Sequence, residues 1–261
     1  MNLQSSDRHR RILDKLKRDG QVRNAELADE FMVTPMTLWR DLRLLEERGQ
    51  LRRMRGGAVA KGVEEEPGFF VKTPRAAEAK QAIARRAVRF LEEGDILILD
   101  GGTTVAALTR QTLPARLTVL TNSLPIANEL MHHPSRPSVQ LAGGLLRPES
   151  GTVVGREALA FFGRRRANKL FMSATGVDAE AGITDPNPQE IEVKQAMLAS
   201  AQQVYLMADA SKFGHVSLMQ TMPLRRINAL VTDRRSDILA EALRREGGTL
   251  VSADGSDGPV K

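Results

Sequence analysis

Between residues 75 and 261 the chain repeats one unit: a short apolar run, a turn, an amphipathic stretch and another apolar run. The apolar runs are DILILD, LTVLTN, SVQLAGG, KLFMSATG, VYLMAD, INALVTD and TLVSAD. The amphipathic stretches are AKQAIARRAVRFL, which Gly94 is expected to end, then LPIANELM, EALAFFG, QEIEVKQAMLASAQQ and DILAEALRREG. Continuous apolar runs suit strands buried on both faces, and parallel neighbours need a crossover that is usually a helix. The alternation therefore points to one class, an α/β domain whose Rossmann-like, mainly parallel sheet is covered by helices on both faces. Ligands of such sheets bind outside the carboxyl ends of the strands.

Those ends carry polar groups. LDGGTTVAAL places Asp100, Gly101, Gly102, Thr103 and Thr104 at the first, and Thr121 and Asn122 end the second. Gly143 and Gly144, then Gly176 and Asp178, then Asp209, Ser211 and Lys212 follow at later ends. Glycine lets backbone N–H groups approach an anion, threonine adds donors, and the start of a following helix adds a positive dipole end. Carboxylates and Asn122 suit sugar hydroxyls, and Lys212 supplies the positive charge that a phosphate attracts. Together the set points to a small polyhydroxylated anion.

Residues 1–60 have a different character, holding 13 of the 38 Lys and Arg but 9 of the 32 Asp and Glu. RHRRILDKLKRDG places Ile12, Leu13 and Leu16 on one helical face before a stop at Gly20, and VRNAELADEFMV turns Leu27, Ala28 and Phe31 inward. Thr34 and Pro35 are an N-cap and first position for a third helix, whose buried stripe is Leu38, Leu42 and Leu45. At ~100° per residue, Met36, Arg40 and Arg43 lie opposite that stripe, with Thr37 and Trp39 on the flanks. LRRMRGGAV then reads as a two-stranded wing with Arg52, Arg53 and Arg55 near phosphates. The result is a winged helix-turn-helix whose expected DNA-contacting set is Thr34, Met36, Thr37, Trp39, Arg40, Arg43, Arg52, Arg53 and Arg55. An arginine fork fits guanine O6 and N7, while wing arginines add the salt-sensitive phosphate interaction. With one Trp and one Tyr the chain has few aromatics for single-strand stacking, so double-stranded DNA is the expected target. One such module reads few base pairs, which makes a homo-oligomer, dimer or tetramer, the expected partner state. AKGVEEEPGFFVKTP reads as a linker, giving a DNA-binding domain over 1–60, a linker over 61–74 and an effector domain over 75–261.

Composition narrows the chemistry. The chain has no cysteine, which removes disulfides, thiolate nucleophiles and cysteine metal sites. His132 and His133 are adjacent while His9 and His215 are distant in sequence, so solvated or cap positions are expected rather than metal ligation. No apolar run approaches the roughly 18 residues of a membrane span, and the first residues lack the apolar segment of a secretory signal, so a cytoplasmic protein without a membrane partner is expected. No metal and no cofactor are expected.

The whole chain resembles the DeoR family of bacterial transcriptional regulators. RRILDKLKRDGQVRNAELADEFMVTPMTLWRDLRLLEERGQLRRMRGGAV is similar to the family's winged-helix signature, and GDILILDGGTT, LTVLTNS, LAGG, ATGVD, GIT, EIEVKQAM and ADASKFG follow in the family's order. The resemblance implies a repressor of a carbohydrate or polyol catabolic operon. Its sensor domain, related in fold to ribose phosphate isomerases, would bind a phosphorylated sugar or polyol and release DNA or change its grip. The implied effector positions are Asp100, Gly101, Thr103, Thr104, Asn122, Gly143, Gly144, Gly176, Asp178, Glu190, Lys194, Asp209 and Lys212. Two positions depart from the family's pattern: Trp39 stands where the first of two arginines is usual, and Arg55 stands for the wing's histidine. Trp39 is placed to pack on the DNA backbone or against the wing.

Two functions of different class compete for the strand-end residues. In one the domain senses a sugar phosphate without chemistry. In the other it is an isomerase-like enzyme carrying a winged helix, with Glu190 and Lys194, one helical turn apart, as proton shuttle and enediolate counter-charge. The same two residues also fit an exposed ion pair worth only ~0.3 kcal/mol. An isomerase has no need of a winged helix, so sensing is the expected activity.

Overall fold

The computed structural model describes residues 5–19, 21–54, 57–60, 69 and 76–255. Gly20, Arg55, and the expected linker apart from Phe69, lie outside the described residues. The chain divides into two compact units, one built on Met1–Glu66 and the other on Pro67–Asp185, Gln189–Val216 and Gln220–Lys261.

The smaller unit runs α1 (Ser5–Asp19), β1 (Gln21–Arg23), α2 (Asn24–Phe31), α3 (Pro35–Glu47), β2 (Leu51–Met54) and β3 (Gly57–Ala60). The Thr34 hydroxyl accepts from the Thr37 N–H at 3.2 Å and Pro35 opens α3, as the cap pattern requires. Ile12, Leu16, Leu27, Phe31, Leu38, Leu42 and Leu45 join one buried cluster with Val22, Leu51 and Ala58. Each large side chain buried in this way contributes about 1.5–3 kcal/mol. The wing has a strand that the periodicity did not announce: β1 pairs with β3, Gln21 opposite Val59 and Arg23 opposite Gly57, giving the order β1-β3-β2. Three residues carry no legible alternation, and their partner lies far along the chain.

A polar cluster of Arg8, His9 and Asp41 is also buried in this unit. Asp41 on α3 is buried, accepting from Arg8 Nε at 2.6 Å and lying 2.9 Å from His9 Nε2. His9 is therefore a buried partner of a carboxylate, not a solvated or capping histidine. His132 does stand at a helix end, its Nδ1 3.0 Å from the Asn128 carbonyl.

The larger unit contains α4 (Ala77–Ala87), β4 (Ile96–Leu99), α5 (Thr103–Ala106), β5 (Thr118–Thr121), α6 (Leu124–Met131), β6 (Ser138–Leu141), β7 (Leu145–Arg147) and β8 (Thr152–Val154). It continues with α7 (Arg156–Gly163), β9 (Ala167–Met172), β10 (Gly176–Asp178), β11 (Gly182–Asp185), α8 (Pro188–Ser200) and β12 (Ala201–Met207). The last elements are β13 (Met219–Met222), β14 (Ala229–Thr232), α9 (Asp237–Arg245) and β15 (Thr249–Ser252). Seven strands form a parallel sheet in the order β15-β14-β12-β9-β4-β5-β6. Side chains alternate across it: Leu97 and Leu99 join the cluster of Ile83 and Ala87, while Ile98 joins that of Phe162 and Met197. Phe69 is buried in the first of these clusters and its N–H bonds the Glu149 carbonyl at 2.8 Å, so packing of this unit begins before residue 75.

The chain leaves β4 for β5 and β6 on one side and returns to β9 on the other. A crevice between β4 and β9 is thus the switch point of the sheet, where α/β proteins hold ligands. Two antiparallel hairpins, β7–β8 and β10–β11, fall within segments that alternation alone assigned to turns and strand ends. The α4 segment ends at Ala87 with a 3-10 turn over Val88–Phe90, and Gly94, at φ 82°, shapes the turn before β4. The long amphipathic stretch stops at Ser200, whose hydroxyl bonds back to the Phe162 and Ala196 carbonyls, so residues 201–203 open β12 instead of extending the helix. Among the described residues no helix is long and apolar enough to cross a membrane.

Candidate functional site

In the smaller unit α3 presents Met36, Arg40 and Arg43 to solvent, with Thr34 exposed at its start and Thr37 half-buried. Arg43 is tethered along the helix to Glu47 at 2.8 Å, and among the described residues no such tether is found for Arg40. Arg53, on the wing strand β2, is committed within the protein. Its Nε lies 2.7 Å from Glu46 Oε2 and its N–H donates to Glu46 Oε1 at 2.8 Å, which holds the Glu46 carboxyl below the usual glutamate range. Trp39, 44% exposed, lies under both guanidinium groups, at 5.2 Å from Arg53 and 5.5 Å from Arg43. Of the two placements open to Trp39, the structure has it against the wing. Arg52 belongs to β2 by its backbone, its side chain being outside the described residues, as is Arg55.

At the sheet's switch point the larger unit gathers a second set. Asp100, just beyond β4, accepts from the Ser173 N–H and hydroxyl at 3.1 and 3.3 Å across the crevice. Lys194 on α8 donates to Asp185 at 2.8 Å and to the Ser173 carbonyl at 2.9 Å, with Asp100 at 3.7 Å. Asp185 also accepts from Thr221 Oγ1, Thr175 N–H and Thr175 Oγ1. Burial opposes the Lys194 charge, yet Asp100 and Asp185 hold its pKa above the ordinary lysine value. Burial pushes the Asp100 carboxyl upward, against the pull of Lys194, whose closer partner is Asp185. Glu190 pairs with Arg147 at 2.5 Å and accepts from Thr152 Oγ1 at 3.0 Å; burial works to raise its pKa, and Arg147, Ser150, Lys194 and Thr152 hold it below the usual value.

These contacts correct the expected exposed pair. Lys194 is buried and Glu190 half-buried, and each finds its counter-charge on another element, Arg147 on β7 and Asp185 on β11. The glycine loop also differs from a phosphate cradle open to solvent. A Cβ on Gly101 would lie 2.1 Å from Thr152 Cγ2, and one on Gly102 would lie 1.8 Å from Ser173 Oγ, so protein atoms occupy the space that these glycines leave. α5, which begins at Thr103, is a single turn followed by a 3-10 turn, too short to develop the dipole expected of a full helix. Thr103 is half-buried and Thr104 buried.

The remaining positions divide by surroundings. Asn122 is 3% exposed; its amide donates to the Val153 carbonyl at 3.0 Å, while Oδ1 has no partner among the described residues. Thr121 bonds the Leu99 carbonyl. Gly143 faces open space, Gly144 (φ 136°) packs against the Val154 carbonyl, and Gly176 packs against the His215 carbonyl. Asp178 closes the β10–β11 turn by accepting from the Glu180 and Ala181 N–H groups, which lower its pKa. Asp209 caps the short turn at 210–212, accepting from the Ser211 N–H and hydroxyl. Lys212 is half-buried, and among the described residues no carboxylate or carbonyl takes its ammonium. Sequence reasoning did not single out Arg147, Thr152, Ser173, Asp185 and Thr221. A carboxylate ending the wholly buried strand GITD was a usable signal for Asp185.

The family profile described as "DeoR C terminal sensor domain" matches residues 75–234, and that described as "DeoR-like helix-turn-helix domain" matches residues 8–62. The chain is 37% identical over 251 residues to the HTH-type transcriptional regulator GlpR of Haloferax volcanii, covering 94% of this chain and 97% of that protein. It is 29% identical over 232 residues to the glycerol-3-phosphate regulon repressor of Escherichia coli, covering 88% of this chain and 92% of the relative. Among solved structures, ribose 5-phosphate isomerase A of Methanocaldococcus jannaschii matches 52% of this chain and 54% of its own at 14% identity and a TM-score of 0.38, too low to carry an argument.

Proposed function

Because this chain belongs to the DeoR family and is a DNA-binding transcriptional regulator, we propose that it represses a carbohydrate or polyol catabolic operon and that a phosphorylated sugar or polyol, bound at the carboxyl ends of the sensor strands, relieves the repression. The protein acts by binding, not by catalysis: its relatives are named regulators, and the acid-base pair that an isomerase would need is tied up in buried ion pairs. The observation that carries the effector reading is the contrast between cations. Lys194 and Arg147 are neutralised internally, whereas among the described residues no partner takes the Lys212 ammonium beside the Asp209 turn. A phosphate dianion supplies the missing partner. The unpaired Asn122 Oδ1 suits a ligand hydroxyl, and Gly143 leaves room for a ligand's approach. The name of the E. coli relative, a glycerol-3-phosphate regulon repressor, supports a small phosphorylated polyol as the class to test first.

On the DNA side, Arg40 reads a base edge while the wing follows the backbone, and two or more copies on repeated half-sites supply the specificity that one module lacks. A thermal-shift screen of phosphorylated sugars and polyols beside their unphosphorylated forms tests the effector reading. A ligand at 100 times its dissociation constant stabilises the fold by about 2.7 kcal/mol. Stabilisation by phosphorylated compounds alone supports the proposal, and equal response to both forms removes the phosphate from it.

A further inference from the structure

The recognition helix and the wing are joined by a compact device. Glu46 on α3 binds Arg53 twice, once through the backbone N–H at 2.8 Å and once through Nε at 2.7 Å, so strand and side chain are fixed together. The Arg53 guanidinium then lies over the Trp39 ring, 5.2 Å from its centroid, while Arg43 approaches the same ring at 5.5 Å. An aromatic ring attracts both cations through its quadrupole. The arginine usual in the family at this position would instead face two like charges.

We propose that Trp39 is a positioning residue that clamps the wing to the recognition helix, so that α3 and β2 meet DNA as one preset surface; this rests on the DNA-binding reading above. The clamp works through Arg53, which is thereby an orienting group before it is a phosphate contact. Arg43 gains a fixed direction from the same ring and from Glu47. Trp39 thereby sets the angle of the wing, and base reading falls to Arg40.

Trp39 is the only tryptophan of the chain, so its fluorescence reports on the clamp in the full-length protein without a label. In free protein, Arg53→Ala and Glu46→Gln should raise the acrylamide quenching of Trp39 and shift its emission to the red, with no change in the urea midpoint beyond that of other surface substitutions. The DNA arm compares the duplex that the parent enriches from a random library with a scrambled duplex of equal length. Trp39→Ala should lower the ratio of the two affinities by about threefold, the effect of one exposed cation–π contact, and Trp39→Phe, which keeps an aromatic face, should restore most of it. Unchanged quenching in Arg53→Ala overturns the clamp. Equal loss on both duplexes, or no rescue by Trp39→Phe, overturns the positioning role. A parent that enriches no duplex from the library overturns the DNA-binding reading, while the quenching arm still judges the clamp.

Discussion

The two units handle charge in opposite ways. On the winged helix the cations proposed to meet DNA lie at the surface: Arg40 is open to solvent, Arg43 and Arg53 are tethered to exposed or half-exposed glutamates, and a tryptophan carries the guanidinium groups of those two. In the sensor, Lys194, Asp185, Asp100, Glu190 and Arg147 are sunk at the switch point of a parallel sheet, where each charge depends on a named partner. A surface that meets a polyanion needs cations that solvent and DNA can exchange over, since an exposed pair holds only ~0–1 kcal/mol. A buried network holds several groups in one geometry and tolerates no missing member. The first arrangement suits reading, and the second suits a scaffold that keeps two strand ends and two hairpins in register around a ligand.

The largest expected effect separates the two designs. Lys194→Ala leaves Asp185 and Asp100 buried without their counter-charge and should cost about 3–5 kcal/mol in urea unfolding, whereas Arg43→Ala should stay within ~0.5 kcal/mol. Comparable losses at the two sites would break the contrast.

Asp41 is the one place where the smaller unit resembles the larger. Burial works to raise its carboxyl pKa, and Arg8 and His9 bring it below the ordinary value of 3.8. A lowered native pKa gives stability that is present above 3.8 and lost as pH falls through the native value. Acid unfolding of the full chain should therefore lose a component on that approach, and Asp41→Asn should remove this pH dependence while weakening the unit at every pH. A variant with an unaltered acid limb would show that the buried pair is not what holds α1 to α3.

Smaller effects sharpen the reading surface. Arg40→Ala should weaken the selected duplex by about 1–3 kcal/mol and relax preference at one base pair, as measured by anisotropy on single-position variants of the site. Thr34→Ala removes the cap of the recognition helix and should cost about 1 kcal/mol of stability. A loss in DNA affinity with no loss of stability would instead place Thr34 in direct contact with DNA.

Legibility followed the distance between partners. The winged helix was readable because Leu38, Leu42 and Leu45 repeat within one helix and Thr34 caps it by accepting from an N–H only three residues on. The sheet was readable because each buried strand is a continuous apolar run. The ion network was not: Asp100 meets Ser173 across 73 positions, and Thr152 meets Glu190 across 38. Resemblance marked Glu190 and Lys194 as site residues, but helical spacing suggested that they pair with each other, and their real partners sit on hairpin strands of three and four residues, too short to leave a periodic trace. β1 escaped notice for the same reason.

In the proposed mechanism Lys212 is the cation that waits for the effector phosphate. The most direct test binds full-length parent and Lys212→Ala to the selected duplex at one salt concentration, then titrates both with the phosphorylated compound that stabilises the parent most. Equal DNA affinity is expected before titration, with an effector response displaced ten- to a hundredfold in the variant, the equivalent of the ~1.5–3 kcal/mol of a charge-assisted hydrogen bond. Release of both complexes at the same effector concentration would contradict it.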